Sequence, residues 1–384
     1  MTNPGLVIID GTVIDAKGKG VSRYAVNLIR HLAKVDIENR YLVLLDAKAD
    51  IPDLPVASNF DYRKVNARPM LAWRLIRLPL LIRQYHYSIL HVLSELVPVV
   101  KTHGLIVTIH EIPHLRNVLQ PKGSFYEQLS RVLHEILFPL TLKRATRLIA
   151  VSQSTALDLT HYGADSVKIQ VIPEAADEKF TCSFASVDLD QVRYDLQAHD
   201  GYVLSFATGD GRENPQLVLK AWAELLNRNP QLSKRLVFAG CKDQTLQKLK
   251  LFAEQVGVDS TVTFLGYVDD AFLPRLYGAA DLYVDISFYE GFGLQCLEAM
   301  ACGVPVIASS IPSMSEVVGQ AGILVEPINS SALASAMANV LNDIHLREAL
   351  QAKSRERAKQ FSWEQAARAT LMVYQSIGSS RRNH

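Results

Sequence analysis

At 384 residues, 48% hydrophobic and 21% charged, the chain has the composition of a soluble globular protein and the length of two or three domains. Its 40 basic and 39 acidic residues leave a formal net charge of +1, which excludes whole-molecule attraction to nucleic acid; an anionic partner must meet a local patch. Four scattered cysteines without metal or disulfide spacing, no basic leader before Leu6 and no run of the ~20 apolar residues a membrane span needs together imply a cytoplasmic protein.

In the first half, strand-type apolar runs at Leu6–Asp10, Tyr41–Asp46, Ile89–Leu93, Leu105–His110, Leu148–Ser152 and Lys168–Pro173 alternate with helical patterns such as Ser22–Val35, Glu127–Ala145 and Ser154–Tyr162. That alternation predicts a parallel sheet with helices on both faces. The first strand is followed by Gly18-Lys-Gly-Val-Ser-Arg-Tyr24, a glycine-bearing loop that opens a helix near Ser22 and can present backbone N–H groups to a phosphate. Such turns are also common without a ligand, and this one is neither a Walker A loop nor a complete G-x-G-x-x-G.

Residues 63–94 carry Arg63, Lys64, Arg68, Arg74, Arg77 and Arg83 with Trp73, Tyr85 and Tyr87 and no acid. Two readings stay open: a surface for peripheral contact with anionic lipid on the inner face of the membrane, or long side chains covering a core helix. Next, His110-Glu-Ile-Pro-His114 matches the zinc pattern H-E-x-x-H, the mark of a zinc hydrolase. That chemistry needs both histidines on one helical face, whereas the motif follows a strand and contains Pro113. A strand-end loop with His110 directed into a cleft fits better, and no metal is expected.

Glu174–Asp200 loosens into a polar stretch expected to be a linker, where Asp188-Leu-Asp190 reads as helix capping. The alternation then restarts, with strands at Tyr202–Thr208, Arg235–Gly240, Thr261–Gly266, Leu282–Ser287 and Val304–Ser309 and helices at Pro215–Asn227, Gln244–Gly257, Ala271–Ala280 and Leu294–Cys302. The expectation is an α/β chain of two Rossmann-like, doubly wound domains, residues 1–180 and 200–363, whose ligands bind outside the carboxyl ends of the strands and face an interdomain cleft. The tail is helical from Ser331, and residues 364–384 are expected to pack back on the first domain.

The most informative stretch is Glu290-Gly-Phe-Gly-Leu-Gln-Cys-Leu-Glu298. Gly291 and Gly293 let backbone approach a ligand just before a helix whose first N–H groups suit an anion. Glu298 falls among Leu294, Leu297, Met300 and Ala301, where an acid needs a partner. A plain helix-start acid and a salt-bridged one would also account for the pair.

Taken with Val107-Thr-Ile-His110, Val171-Ile-Pro173, Ala299-Met-Ala-Cys-Gly-Val-Pro-Val-Ile-Ala308 and Ser315-Glu-Val-Val-Gly319, these motifs resemble the retaining glycosyltransferases of family four over nearly the whole chain. The resemblance implies the GT-B fold and metal-independent transfer of a hexosyl group, such as mannose or glucose, from a UDP- or GDP-linked sugar to a hydroxyl acceptor, in cell-surface polysaccharide or glycolipid assembly. A lipid-linked acceptor would suit the basic stretch. By the same resemblance, Glu290 holds sugar hydroxyls, backbone at Gly291, Phe292, Gly293 and Leu294 meets sugar and phosphate, Glu298 holds the ribose, Gly20 meets the diphosphate, Gly266 and Tyr267 meet the base, and His110 lies near the reacting centre. One departure stands out: where the family reads Arg-Lys-Asn to clamp the diphosphate, this chain reads Arg212-Glu-Asn214, so an acid replaces the lysine. A sugar-nucleotide epimerase and a glycosyltransferase-like subunit without turnover are the alternative readings.

Overall fold

The computed structural model describes residues 5–16, 18, 20–95, 102, 104–112, 115, 125–181 and 184–380. The chain forms two compact units: described residues up to Glu174 with the helix Trp363–Ser380, and Ala175–Phe361.

In the first unit β1 (Leu6–Asp10), β2 (Arg40–Asp46), β3 (Phe60–Val65), β4 (Ile89–Val92), β5 (Leu105–Ile109), β6 (Arg147–Ala150) and β7 (Ile169–Val171) pair in the order β3-β2-β1-β4-β5-β6-β7. Every pairing is parallel, with Ile8 of β1 registered against Leu42 on one side and Leu90 on the other. Helices cover both faces of such a sheet, so inner strands such as Leu105–Ile109 are buried along their whole length and read as unbroken apolar runs. The helix Gly20–Val35 buries Tyr24, Leu28, Ile29 and Leu32 on one stripe and packs against Trp363–Ser380. The latter buries Ala366, Ala367, Thr370, Val373, Tyr374 and Ile377, a helical repeat facing the unit's core.

The second unit repeats the plan. Its strands β8 (Tyr202–Phe206), β9 (Arg235–Ala239), β10 (Val262–Phe264), β11 (Leu282–Asp285), β12 (Val306–Ser309) and β13 (Ile323–Val325) run β10-β9-β8-β11-β12-β13, all parallel. Trp222, Phe238 and Met337 lie at the centre of its core, each with no exposed surface. Strand order reverses beside β1 in the first sheet and beside β8 in the second, so each has a switch point where loops diverge and leave room for a ligand.

Three expectations need correction. The edge strands β3 and β13 were not anticipated: β3 carries exposed Asp61, Arg63 and Lys64 because one side of an edge strand meets water, and β13 is three residues long. Glu174–Asp200 is not an irregular linker. It carries the helix Ser186–Asp195 within the second unit, with Val192 buried, Leu189 against Gly278 and Arg193 donating to the Ala279 carbonyl at 3.0 Å. Nor is the basic stretch one surface. Met70–Ala72, a π-helical turn Trp73–Arg77 and Leu78–Ile82 follow one another, and they turn Arg74 inward, 1% exposed, with its Nε 3.0 Å from Asp10. Among the described residues no helix is long and apolar enough to cross a membrane.

Candidate functional site

The carboxyl ends of β8 and β11 flank the switch point of the second sheet. The loop after β8 runs to the helix Pro215–Arg228, and the loop after β11 runs to the helix Leu294–Ala301. The two are tied together where the Phe288 N–H donates to the Arg212 carbonyl at 2.9 Å. Across this tie Arg212 Nη1 lies 3.3 Å from Glu290 Oε2, while Nε and Nη2 donate to the two oxygens of Asp210 at 3.0 and 3.3 Å. Both partners are sheltered, with side-chain exposures of 17% and 21%. Ser313 Oγ donates to the Glu290 carbonyl at 2.6 Å, so the main chain of the acid is held as well as its side chain.

Gly293 caps the following helix at φ 105° and ψ 42°, and a Cβ there would stand 2.7 Å from Met314 Sδ. Only glycine takes that conformation without strain. It aims the first helical turn, whose N–H groups have no intrahelical acceptor and carry the positive end of the helix dipole, at the loop bearing Glu290. Phe292 is buried, edge-on to Phe361 at 5.8 Å. Glu298 is 1% exposed and accepts a hydrogen bond from Tyr277 at 3.2 Å, the partner its apolar setting requires. Below the loops a small pocket is lined in part by Ser205, Glu213, Tyr283, Asp285, Ser287 and Gln295. Burial pushes the Asp285 carboxyl above its ordinary range, against hydrogen bonds from Ser287 and Tyr283 and the charge of Arg212.

Glu213 has a different job from the one its place in the motif suggests. Its carboxylate folds back to accept from the Thr208 N–H at 2.7 Å, the Thr208 hydroxyl at 2.7 Å and the Gly209 N–H at 3.1 Å. It therefore staples the turn that presents Arg212. Hydrogen bonds to a charged acceptor are worth about 1.5–3 kcal/mol, so Glu213→Ala is expected to lower the unfolding free energy by about 2 kcal/mol in chemical denaturation. Unchanged stability would show that the staple carries no load.

In the first unit the bend after β5 places His110, with Nδ1 3.1 Å from Glu174 Oε1. The Tyr24 ring meets the imidazole edge-on at 4.7 Å. Gly20 opens Tyr24's helix one turn earlier, and a Cβ there would touch nothing within 4 Å, so its backbone is approachable. Burial pulls the His110 pKa down, but the hydrogen bond and charge of Glu174, with the charges of Glu95 and Glu111, outweigh it and hold the imidazole above its ordinary value. Behind it, burial drives His91 down to about 3, with help from the His110 charge. His91 lies 2.7 Å from Tyr374 Oη and 2.9 Å from Thr108 Oγ1.

Of the residues singled out in sequence, the structure brings Arg212, Glu290, Gly291, Phe292, Gly293, Leu294 and Glu298 together on two adjoining loops and one helix. Gly266 and Tyr267 stand apart, on the loop after the edge strand β10, where the carbonyls of Leu265 and Gly266 are taken by Cys241 and Gly240 N–H groups, each at 3.0 Å. Gly20 and His110 belong to the first unit. Among the described residues no group of three or more His, Cys, Asp or Glu is arranged to hold a metal; Pro113 and His114 of the H-E-x-x-H motif lie outside the described residues. Sequence reasoning missed Glu174, Asp210 and Tyr277. Asp210 lay two residues from Arg212 and was legible as its partner, but nothing local ties Tyr277 to Glu298.

Two doubly wound parallel α/β domains in one chain are the architecture of glycosyltransferases with the GT-B fold. Residues 18–180 match the family described as Glycosyltransferase Family 4, and residues 189–357 match Glycosyl transferases group 1. O-antigen chain mannosyltransferase B of Escherichia coli is 30% identical over 376 residues, covering 93% of this chain and 96% of that one. A D-inositol 3-phosphate glycosyltransferase of Paenarthrobacter aurescens is 33% identical over 286 residues, 72% of this chain and 67% of the other. The chain thus belongs to glycosyltransferase family 4. Its fold is shared with sucrose-phosphate synthase of Thermosynechococcus elongatus (TM-score 0.73, 20% identity, 98% and 100% of the two chains). It is shared also with HepE of Anabaena, solved with UDP-glucose (TM-score 0.69, 19% identity, 99% of each chain).

Proposed function

We propose that this glycosyltransferase is retaining and metal-independent, moving a hexosyl group from a UDP- or GDP-linked sugar to a hydroxyl acceptor in the assembly of a surface polysaccharide or glycolipid at the cytoplasmic face of the membrane. The observation that carries the reading is the Arg212–Glu290 pair, 3.3 Å apart at the switch point beside the helix N-terminus at Leu294. A nucleotide sugar offers both complements: hydroxyls for the carboxylate and a diphosphate for the guanidinium and N–H dipoles. On this reading Glu290 holds sugar hydroxyls, the backbone from Gly291 to Leu294 meets sugar and phosphate, Glu298 takes the ribose after exchanging its Tyr277 bond, Gly20 meets the diphosphate, Gly266 and Tyr267 meet the base, and His110 stands near the sugar.

The acceptor oxygen bonds to the anomeric carbon on the face from which the phosphate oxygen departs, and the acceptor proton passes to that phosphate oxygen. The protein's task is to position reactants and stabilise the departing charge, with no covalent nucleophile required. The mannosyltransferase relative, whose described role is in an O-antigen chain, supports the polysaccharide setting.

Thermal shift with UDP-glucose and GDP-mannose is expected to reveal the donor, since a ligand at 100 times its Kd stabilises by about 2.7 kcal/mol. Transfer with the selected donor should persist in EDTA, and proton NMR should show the product anomer in the donor's configuration. An inverted product sinks retention. Loss in EDTA with rescue by zinc would favour the H-E-x-x-H alternative, and release of a rearranged nucleotide or free sugar would favour the epimerase.

A further inference from the structure

Glu174 follows Ile172 and Pro173 just beyond β7, yet its side chain is 6% exposed and spends an oxygen on His110, itself 9% exposed in its side chain. The Nδ1–H donation fixes the ring's orientation, as a carboxylate behind a histidine generally does. The opposite nitrogen, Nε2, is buried and has no hydrogen-bond partner among the described residues. A buried polar atom left unpaired is costly, so its retention points to an incoming hydrogen-bond partner. The ring cannot easily turn away. Tyr24 packs against its edge, the Tyr24 hydroxyl lies 3.1 Å from Thr108 Oγ1, and Thr108 is tied through His91 to Tyr374 of the last helix.

We infer that Glu174 is a positioning residue that fixes the His110 ring and aims its Nε2 at an oxygen of the bound nucleotide sugar. This rests on the donor reading above. Among the described groups that act on His110, Glu174, Glu95 and Glu111 are acids that favour the imidazolium. His91 stays neutral at physiological pH, and burial holds the Tyr24 hydroxyl well above its ordinary value, so neither opposes that charge. The sign follows. A raised imidazole is charged below its folded pKa and loses both its proton and its grip on an oxygen as pH rises through that value.

The test uses the full chain with 13C-labelled histidine, His110 being assigned with Glu174 intact by the signal lost in His110→Gln. In Glu174→Gln the His110 titration is expected to move to lower pH. The fall of UDP-glucose or GDP-mannose affinity with rising pH should move with it, leaving affinity at neutral pH weaker by roughly tenfold. Glu174→Asp, with its carboxylate one methylene shorter, should show the same change in smaller measure, and it serves alone if the glutamine variant does not fold. A His110 titration unmoved by both substitutions overturns the proposal, as does an affinity profile that ignores the moved titration. If neither sugar nucleotide binds the wild type, the donor reading fails, while the titration still decides whether Glu174 sets the state of His110.

Discussion

Arg74→Met is expected to cost the first unit about 3–5 kcal/mol, the largest stability loss foreseen from a single substitution in this chain. Arg74 is 1% exposed and Asp10 fully buried, 3.0 Å apart at the carboxyl end of β1. The Thr12 hydroxyl donates to Asp10 at 2.6 Å, and the Trp73 indole lies 3.3 Å from both carboxylate oxygens. Methionine would fill the space but leave a carboxylate buried without its cation, and the neutral donors of Thr12 and Trp73 do not repay that desolvation. The double variant Asp10→Asn with Arg74→Met should recover much of the loss, because a neutral amide tolerates the site; a double-mutant cycle in denaturant unfolding measures the difference. Wild-type stability in the single variant would mean that the pair contributes nothing. Arg63→Met, on an exposed strand edge beside Tyr85, should stay within about 0.5 kcal/mol of wild type.

The same arginine shows what a sequence reveals and what it hides. Residues 63–94 were legible as basic and aromatic, but the partner that turns Arg74 inward sits 64 residues earlier at Asp10, and periodicity carries no trace of it. The inner strands were legible because burial on both faces demands uninterrupted apolar runs. The edge strands β3 and β13 escaped because one side of an edge has no such demand, and the helix Ser186–Asp195, which buries little more than Val192, was read only in its last part, with Asp188 and Asp190 as caps although they lie inside it. In the site, the glycine at 293 and the acid inside an apolar helix at 298 stood out because each breaks a local rule that folding must compensate. Glu213 was legible as an acid in an unexpected place. Its purpose, closing a turn onto Thr208 and Gly209, depends on backbone geometry that residue types do not encode.

Glu290→Ala is expected to lower kcat by roughly 10²–10³-fold, the scale seen when a preorganised polar contact at a reacting centre is removed. The structure separates this effect from collapse of the site. The Glu290 main chain is held by Ser313 through its carbonyl, which alanine keeps, and Gly293 still starts the helix in its left-handed conformation. Arg212 keeps its two bonds to Asp210, so a cation remains at the switch point. UDP or GDP, which lack the sugar, should therefore bind the variant within a few-fold of wild type, while donor turnover is lost. Glu290→Gln retains an oxygen and gains N–H donors but gives up the charge opposite Arg212, which places it between the two. Calorimetry with the nucleoside diphosphate, set beside transfer kinetics, makes the distinction. Normal turnover in Glu290→Ala sinks the sugar-binding role, and an equal loss of diphosphate binding moves Glu290 from the sugar to the support of Arg212.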